Sequence, residues 1–194
     1  MPNVLRMLCP DEYVHSVTAV DLAKLKQRGI RNLLIDLDNT LVPWRRLEVK
    51  PEIKDWVTRA IEQGMKLCIV SNTSNSRRLH DLASQLGIPY VRRGLKPRRI
   101  GFLVALDLLN GSRNDTAVIG DQIFTDILGG NRLNLYTILV VPLHQREFFG
   151  TKISRFFERR ILRMLNKRGL LRKSKAMSRA GEQSTALIRQ METE

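Results

Sequence analysis

Four short stretches, far apart in the chain, carry residue types that could do chemistry. They are Asp36-Leu37-Asp38-Asn39-Thr40, Ser71-Asn72-Thr73, Lys96-Pro97, and Gly120-Asp121 with Asp126 five residues further on. Alternation along an extended chain puts Asp36 and Asp38 on one side, and a turn at Asn39 brings both towards one pocket. Ser71 and its neighbours make a hydroxyl-rich turn feeding a helix start, where backbone N–H groups and the helix dipole favour an anion. Gathered in one crevice, these residues supply three or four carboxylates, one ammonium and one hydroxyl. Carboxylates so crowded repel one another without a cation, and hard oxygen ligands suit Mg²⁺. A metal, Lys96 and a helix N-terminus together make a site for a phosphoryl group. Each residue taken alone has a plainer role: an Asp after a strand commonly caps a turn, Ser71 caps a helix, and Lys96 is a surface lysine.

Placement is what joins them, because each stretch follows an apolar run. Strands are expected at residues 32–37, 67–70, 89–92, 116–119 and 136–141. Helical patterns alternate with them. Asp21 caps a short helix bearing Leu22 and Leu25, and Pro51 opens one with Ile53, Trp56, Val57, Ala60 and Ile61 on one side. Leu79, Leu82, Ala83 and Leu86 mark a helix ending at Gly87, residues 100–109 a strongly apolar one, and residues 123–128 one ending at Gly129-Gly130. Five strands with helices between them predict an α/β fold: a three-layer, doubly wound parallel sheet with right-handed crossovers. Ligands of such sheets sit at the carboxyl ends of the strands, where the strand order reverses.

Asp-x-Asp-x-Thr after a strand, then Ser-Asn, Lys-Pro and Gly-Asp with a second Asp, resembles the haloacid dehalogenase (HAD) phosphatase superfamily. The stretches DLDNTLVPW, SNTS, KP and GDQIFTDILGGNR resemble its type IIIA branch, which holds YqeG-like proteins and phosphatidylglycerophosphate phosphatases. The resemblance spans about residues 1–145. It implies a Rossmann-like HAD fold and a Mg²⁺-dependent phosphomonoesterase. Asp36 would be the nucleophile that forms an aspartyl-phosphate, and Asp38 the general acid and then base. Asp36, the Asp38 main-chain carbonyl and Asp121 would hold Mg²⁺, with Asp126 as a further ligand or the holder of a metal water. Ser71 and Lys96 would hold phosphoryl oxygens, with Thr40 and Asn72 supporting substrate binding. Asn39 stands where many relatives have Gly, and Asn tolerates a left-handed turn. Trp44 and Arg45 either line the mouth and touch a substrate headgroup or clasp a loop.

Spacing adds that the enzyme is capless. Thr40 to Ser71 is 31 positions and Ser71 to Lys96 is 25, each already filled by expected elements. Neither gap leaves room for another domain of roughly 50 residues. An open mouth suits substrates anchored on something large, such as a bilayer.

Charge singles out the C-terminal part. The chain's 194 residues have 33 Lys+Arg against 19 Asp+Glu, a formal +14. Residues 141–194 hold 13 basic and 5 acidic residues, more than half of that excess. Ile153, Phe156, Phe157, Ile161, Met164 and Leu165 recur at helical spacing there, with Arg155, Arg159, Arg163 and Lys167 beside or opposite. A basic helix with such a stripe fits one lying in an anionic membrane interface, or one docked on its own domain. The expected layout is therefore a phosphatase domain over 1–145, a basic amphipathic helical segment over 146–173 and a mobile polar tail over 174–194.

No apolar run approaches the roughly 20 residues of a membrane span, and no secretory signal opens the chain. Two cysteines are too few for a disulfide framework and fit a reducing compartment. A cytoplasmic protein, peripheral on the inner membrane face, is the expectation. The resemblance implies phosphatidylglycerophosphate as the favoured substrate, with the open mouth and the basic C-terminal part in support. Soluble nucleotides, sugar phosphates or nucleic-acid ends are the alternative, and a catalytically weak basic adaptor on RNA is another.

Overall fold

The computed structural model describes residues 3–143 and 149–172, the side chains of residues 3–4 and 149–156 excepted. Six strands lie parallel in one sheet: β1 (Glu12–Val14), β2 (Asn32–Ile35), β3 (Lys66–Val70), β4 (Tyr90–Val91), β5 (Thr116–Gly120) and β6 (Tyr136–Val140). Their order is β1-β6-β5-β2-β3-β4. From β2 the chain winds outward through β3 and β4, then returns to β5 on the other side of β2. The reversal therefore falls between β2 and β5, the pair in which Ile35 lies opposite Ile119.

Alternation in the central strands divides the core into two layers. Leu33, Ile35, Leu67, Ile69, Ala117 and Ile119 face a layer that includes α3 (Pro51–Glu62) and α4 (Ser76–Leu86). Leu34, Cys68, Val70 and Val118 face α5 (Ile100–Leu109), through Phe102, Ala105, Leu106 and Leu109. Phe102 is 1% exposed, so truncating it to Ala should cost about 3–5 kcal/mol. The chain opens with a short helix, α1 (Asn3–Met7), and Asp21 caps the next, α2 (Leu22–Gln27), by accepting from Lys24 N at 3.0 Å. Pro51 opens α3, and Gly87 closes α4 with φ +64.

Several details depart from the sequence expectation. β1 is a sixth strand, too short for periodicity to show, and its pairing with β6 makes it an edge. Ile61 is 46% exposed, because it lies at the far edge of the α3 stripe, a turn beyond Val57. Gly129 and Gly130 do not end a helix. A π-turn (Ile123–Ile127) runs into the short helix Leu128–Asn131, and both glycines sit inside it. There a Cβ on Gly129 would lie 2.4 Å from Phe102, and one on Gly130 2.7 Å from Thr137. α5 is apolar but for Asp107, yet only one side is buried: Ile100, Leu103, Val104 and Leu108 are exposed, as is Asp107.

The helix Phe149–Lys167, hereafter α6, packs along the β6 side of the sheet. Ile161 and Leu162 contact the cluster of Ile123, Ile127 and Leu139, and Leu165 is fully buried. Phe157 and Met164, from the same sequence stripe, remain exposed. The side chains of Ile153 and Phe156, and the polar tail over 174–194, lie outside the described residues.

Candidate active site

The carboxyl ends of β2, β3 and β5 carry the candidate residues. Asp36 directly follows β2, and its N–H continues the ladder by donating to Ile119 O at 2.9 Å. That bond fixes the backbone from which its side chain projects. The next turn is tight, since Leu41 N and Val42 N both donate to Leu37 O, at 3.0 and 3.1 Å. Asn39 sits in it at φ +64, a left-handed conformation that Asn tolerates. After β3, Ser71 Oγ accepts from Thr73 N at 3.1 Å. The Asn72 side chain grips the Lys96 peptide twice: Lys96 N donates to Asn72 Oδ1 at 2.9 Å, and Asn72 Nδ2 donates to Lys96 O at 3.0 Å. This clamp sets where the lysine side chain starts.

Lys96 Nζ lies at the centre of the site. It donates to Asp36 Oδ1 at 2.5 Å and to Asp126 Oδ1 at 2.6 Å, and all three residues are buried. Asp126 is oriented again by Gln122 N, which donates to its Oδ2 at 3.1 Å. Gly120 makes that approach possible, because a Cβ there would lie 2.3 Å from the Asp126 carboxylate. Asp36, Asp121 and Asp126 each offer a carboxylate oxygen within 4.8 Å of the others.

Electrostatics follow from that crowding. Burial, then the Asp126 and Asp38 charges, push the Asp36 carboxyl up to about 7, although Lys96 opposes the shift. Burial alone would lower the Lys96 ammonium, but Asp126 and Asp36 outweigh it and hold Lys96 raised and charged. Three buried carboxylates against one ammonium leave an excess of negative charge, and a divalent cation with a preference for hard oxygen donors matches it in sign and donor set.

Asp38 stands apart from this cluster. Its Oδ1 pairs with Arg78 Nη1 of α4 at 2.8 Å. Burial raises the Asp38 carboxyl, and Arg78 partly offsets the rise. Arg78 is itself buried, and its Nε donates to Arg46 O at 2.8 Å, which ties the loop after the first motif to α4. Asp36, Asp38, Trp44, Ser71, Asn72 and Lys96 all line one cavity of about 440 Å³. Among the described residues, β2 to β3 holds only a loop and α3, and β3 to Lys96 only α4 and β4, so neither stretch carries an inserted domain.

Two expected substrate contacts do not line this cavity. Thr40 is buried within the tight turn, 1% exposed, so its side chain points into protein. Arg45, at φ +64, is turned outward and lays its guanidinium over the Trp44 ring at 4.2 Å. Conversely, Gln122 and Thr125 line the cavity without having been singled out. Arg78 and Glu158 also escape the sequence reading. Glu158 of α6, 3% exposed, accepts from Ile123 N at 2.9 Å and Phe124 N at 3.4 Å, at the start of the turn that carries Asp126. The one hint was that Glu158 is one of two acids in an otherwise basic stretch.

An acid–lysine cluster at the switch point of a parallel sheet, followed by a second Asp two residues after the first, defines a class. The family profile described as haloacid dehalogenase-like hydrolase matches residues 12–134, and the chain belongs to that family, as one of its phosphatases. It is similar to the "Probable phosphatase YqeG" of Bacillus subtilis (strain 168), 40% identical over 164 residues, 84% of this chain and 95% of that one. It is also similar to the "Phosphatidylglycerophosphate phosphatase 1, chloroplastic" of Chlamydomonas reinhardtii. There 30% of 148 residues are identical, covering 72% of this chain and 55% of that protein. Among solved structures, an uncharacterized protein from Listeria monocytogenes serotype 4b shares the fold, with a TM-score of 0.50, 18% identity, and 61% and 85% of the two chains covered.

Proposed function

We propose that this phosphatase hydrolyses phosphomonoesters through a covalent phosphoryl-Asp36, on a substrate whose phosphate is borne by a lipid, phosphatidylglycerophosphate first. The observation that carries the proposal is the Lys96 bridge between Asp36 and Asp126 beside an open cavity. Lys96 engages Asp36 through Oδ1 and so orients the carboxylate with its second oxygen available for attack on phosphorus. As the P–O bond to the leaving group breaks, protonated Asp38 gives that oxygen its proton. Ionised Asp38 then takes a proton from the water that attacks phosphoryl-Asp36, which releases inorganic phosphate and restores Asp36. Arg78 holds Asp38 at the cavity wall through both steps. Ser71 and Lys96 supply donors to the phosphoryl oxygens, where charge builds in the transition state.

Asp36, Asp121 and Asp126, with the Asp38 main-chain carbonyl, would hold Mg²⁺, whose charge would offset the carboxylates and reduce their repulsion of the phosphate. The lipid assignment is supported by the activity for which the algal relative is named and by the lack of an inserted domain between β2 and Lys96. Among the described residues no helix is long and apolar enough to cross a membrane.

Phosphate release from phosphatidylglycerophosphate in mixed micelles, set against release from soluble esters, tests the substrate. A preference of at least tenfold for the lipid is expected, and equal specific rates would remove the lipid assignment. Asp36→Asn should lose about 10³-fold or more in kcat without losing its fold. Retention of Mg²⁺-dependent turnover by that variant would remove Asp36 as nucleophile.

A further inference from the structure

We infer that the side of α5 turned away from the sheet, together with the β4–α5 loop, is the surface on which this enzyme sits on an anionic bilayer. This rests on the lipid reading above in its choice of occupant. The exposed side chains carry the inference: Ile100 is 57% exposed, Leu103 41%, Val104 45% and Leu108 52%, and Leu95 in the preceding loop is 49% exposed. Positions 100, 103, 104 and 108 share one face of a helix, so the four form a stripe rather than scattered contacts. Isolated exposed apolar residues are ordinary, but a contiguous stripe of large ones marks an interaction surface.

The stripe is continuous with the catalytic lip. A Cβ on Gly101 would lie 2.2 Å from Gly94 O, so the first turn of α5 packs directly against the loop that holds Leu95 and Lys96. Lys96 points inward to Asp36, and its neighbour Leu95, at φ +50, is turned outward. Arg92, Arg93, Arg98 and Arg99 are all exposed in the loop that leads into α5, with Arg92 Nη1 donating to Ser76 Oγ of α4 at 3.2 Å. Apolar side chains continuous with an exposed arginine-rich loop match an anionic lipid interface, where the first enter the acyl boundary and the second meet phosphates. Asp107 is exposed on the same face, within the stripe but at the end of α5 remote from the lip, so the surface is most cationic next to the candidate active-site mouth. The described C-terminal chain leads elsewhere: Tyr13 N on β1, at the opposite edge of the sheet, donates to Arg172 O at 2.9 Å.

The test is cosedimentation of the full-length protein with phosphatidylcholine vesicles containing phosphatidylglycerol. The parent is compared with an Ile100→Ser/Leu103→Ser/Leu108→Ser variant and with an Arg98→Ser/Arg99→Ser variant. All of these positions are exposed and outside the catalytic cavity, and a thermal melt confirms folding. Expected is a loss of at least tenfold in vesicle partitioning in both variants, with hydrolysis of soluble p-nitrophenyl phosphate within twofold of the parent. A parent that does not sediment with the vesicles, or variants that sediment as it does, would overturn the inference. So would a parent dimer in sedimentation velocity that the apolar variant dissolves, since the stripe would then be a contact between copies. If the parent binds vesicles through the stripe yet leaves phosphatidylglycerophosphate intact, the surface stands and the substrate assignment falls. If it cleaves that lipid in vesicles and the variants bind and cleave equally, the substrate stands and the surface falls.

Discussion

The catalytic cluster and α6 handle charge in opposite ways. Asp36, Asp121 and Asp126, after β2 and β5, and Lys96, in the β4–α5 loop, are all buried, and a single ammonium joins two of the carboxylates. Along α6, Arg159, Arg163 and Lys167 are exposed to water. In the first region each charge fixes the position and protonation of the next, so one substitution should spread through the set. In the second, solvent screens each charge, and substitutions should act singly or not at all. Glu158 is where the two regions meet: it belongs to the basic helix but is buried against the turn that carries Asp126.

The sharpest way to break this contrast is Lys96→Met. It removes the only cation of the cluster and leaves Asp36 and Asp126 buried against each other. Breaking a buried pair in this way costs about 3–5 kcal/mol. Loss of the donor to Asp36 and the phosphoryl group should also lower kcat by about 10³-fold. The melting temperature should fall, and added Mg²⁺ should restore part of it, because a cation replaces some of the missing charge. A variant that melts like the parent and gains nothing from Mg²⁺ would mean that the carboxylates do not form one electrostatic unit.

Glu158→Ala comes next. Two backbone N–H groups of the turn lose their acceptor, which should cost about 1–3 kcal/mol of stability. Displacement of Asp126 should lower kcat on a soluble ester by roughly 10-fold with little change in KM. Glu158→Gln keeps an acceptor oxygen and should recover most of both. If stability falls while kcat is unchanged, Glu158 only fastens α6 to the domain and does not reach the catalytic turn.

Arg78→Gln has a smaller effect, read in pH dependence. Arg78 opposes the burial that raises Asp38, so its removal should raise the Asp38 carboxyl further. A raised pKa keeps the acid form to higher pH, so the basic limb of the kcat profile should move to higher pH. A limb that stays put or moves down would detach Asp38 from the proton transfer to the leaving group.

How much of this was legible in the sequence depends on how local the cause is. Asp36, Asp38, Ser71, Lys96 and Asp121 could be placed at strand ends because apolar runs mark strands, and the next residues must emerge at the sheet edge. The same logic located the helices from α3 to α5. What could not be read were pairings set only by folding. Arg77 and Arg78 are equivalent in sequence, and only the fold turns Arg78 inward to an Asp 40 positions earlier. Glu158 meets Ile123 across 35 positions. The exposed side of α5 was hidden for a different reason: with Asp107 as its one polar residue, the helix has almost no periodicity from which to tell its buried face. In α6 the periodic stripe was legible, but not its division into docked Ile161 and Leu165 and exposed Phe157 and Met164.

The smallest expected effect belongs to the exposed cations of α6, and it separates the two surfaces that could meet a bilayer. Arg159→Ser/Arg163→Ser alters groups that face water, so stability should stay within about 0.5 kcal/mol of the parent. Turnover of a soluble ester should stay within twofold, since neither residue touches the catalytic turn. Each lysine or arginine close to an anionic membrane contributes about 1 kcal/mol to binding, so two removed from a true contact would weaken vesicle partitioning by more than tenfold. With α5 as the seat, partitioning of this double variant should instead remain within about threefold, the residual change reflecting long-range attraction over a Debye length of about 10 Å. A tenfold loss here, with none on altering Arg98 and Arg99, would move the membrane contact from the catalytic lip to the C-terminal helix. Lipid would then approach from the β6 side of the sheet, where Glu158 lies closest to the catalytic turn.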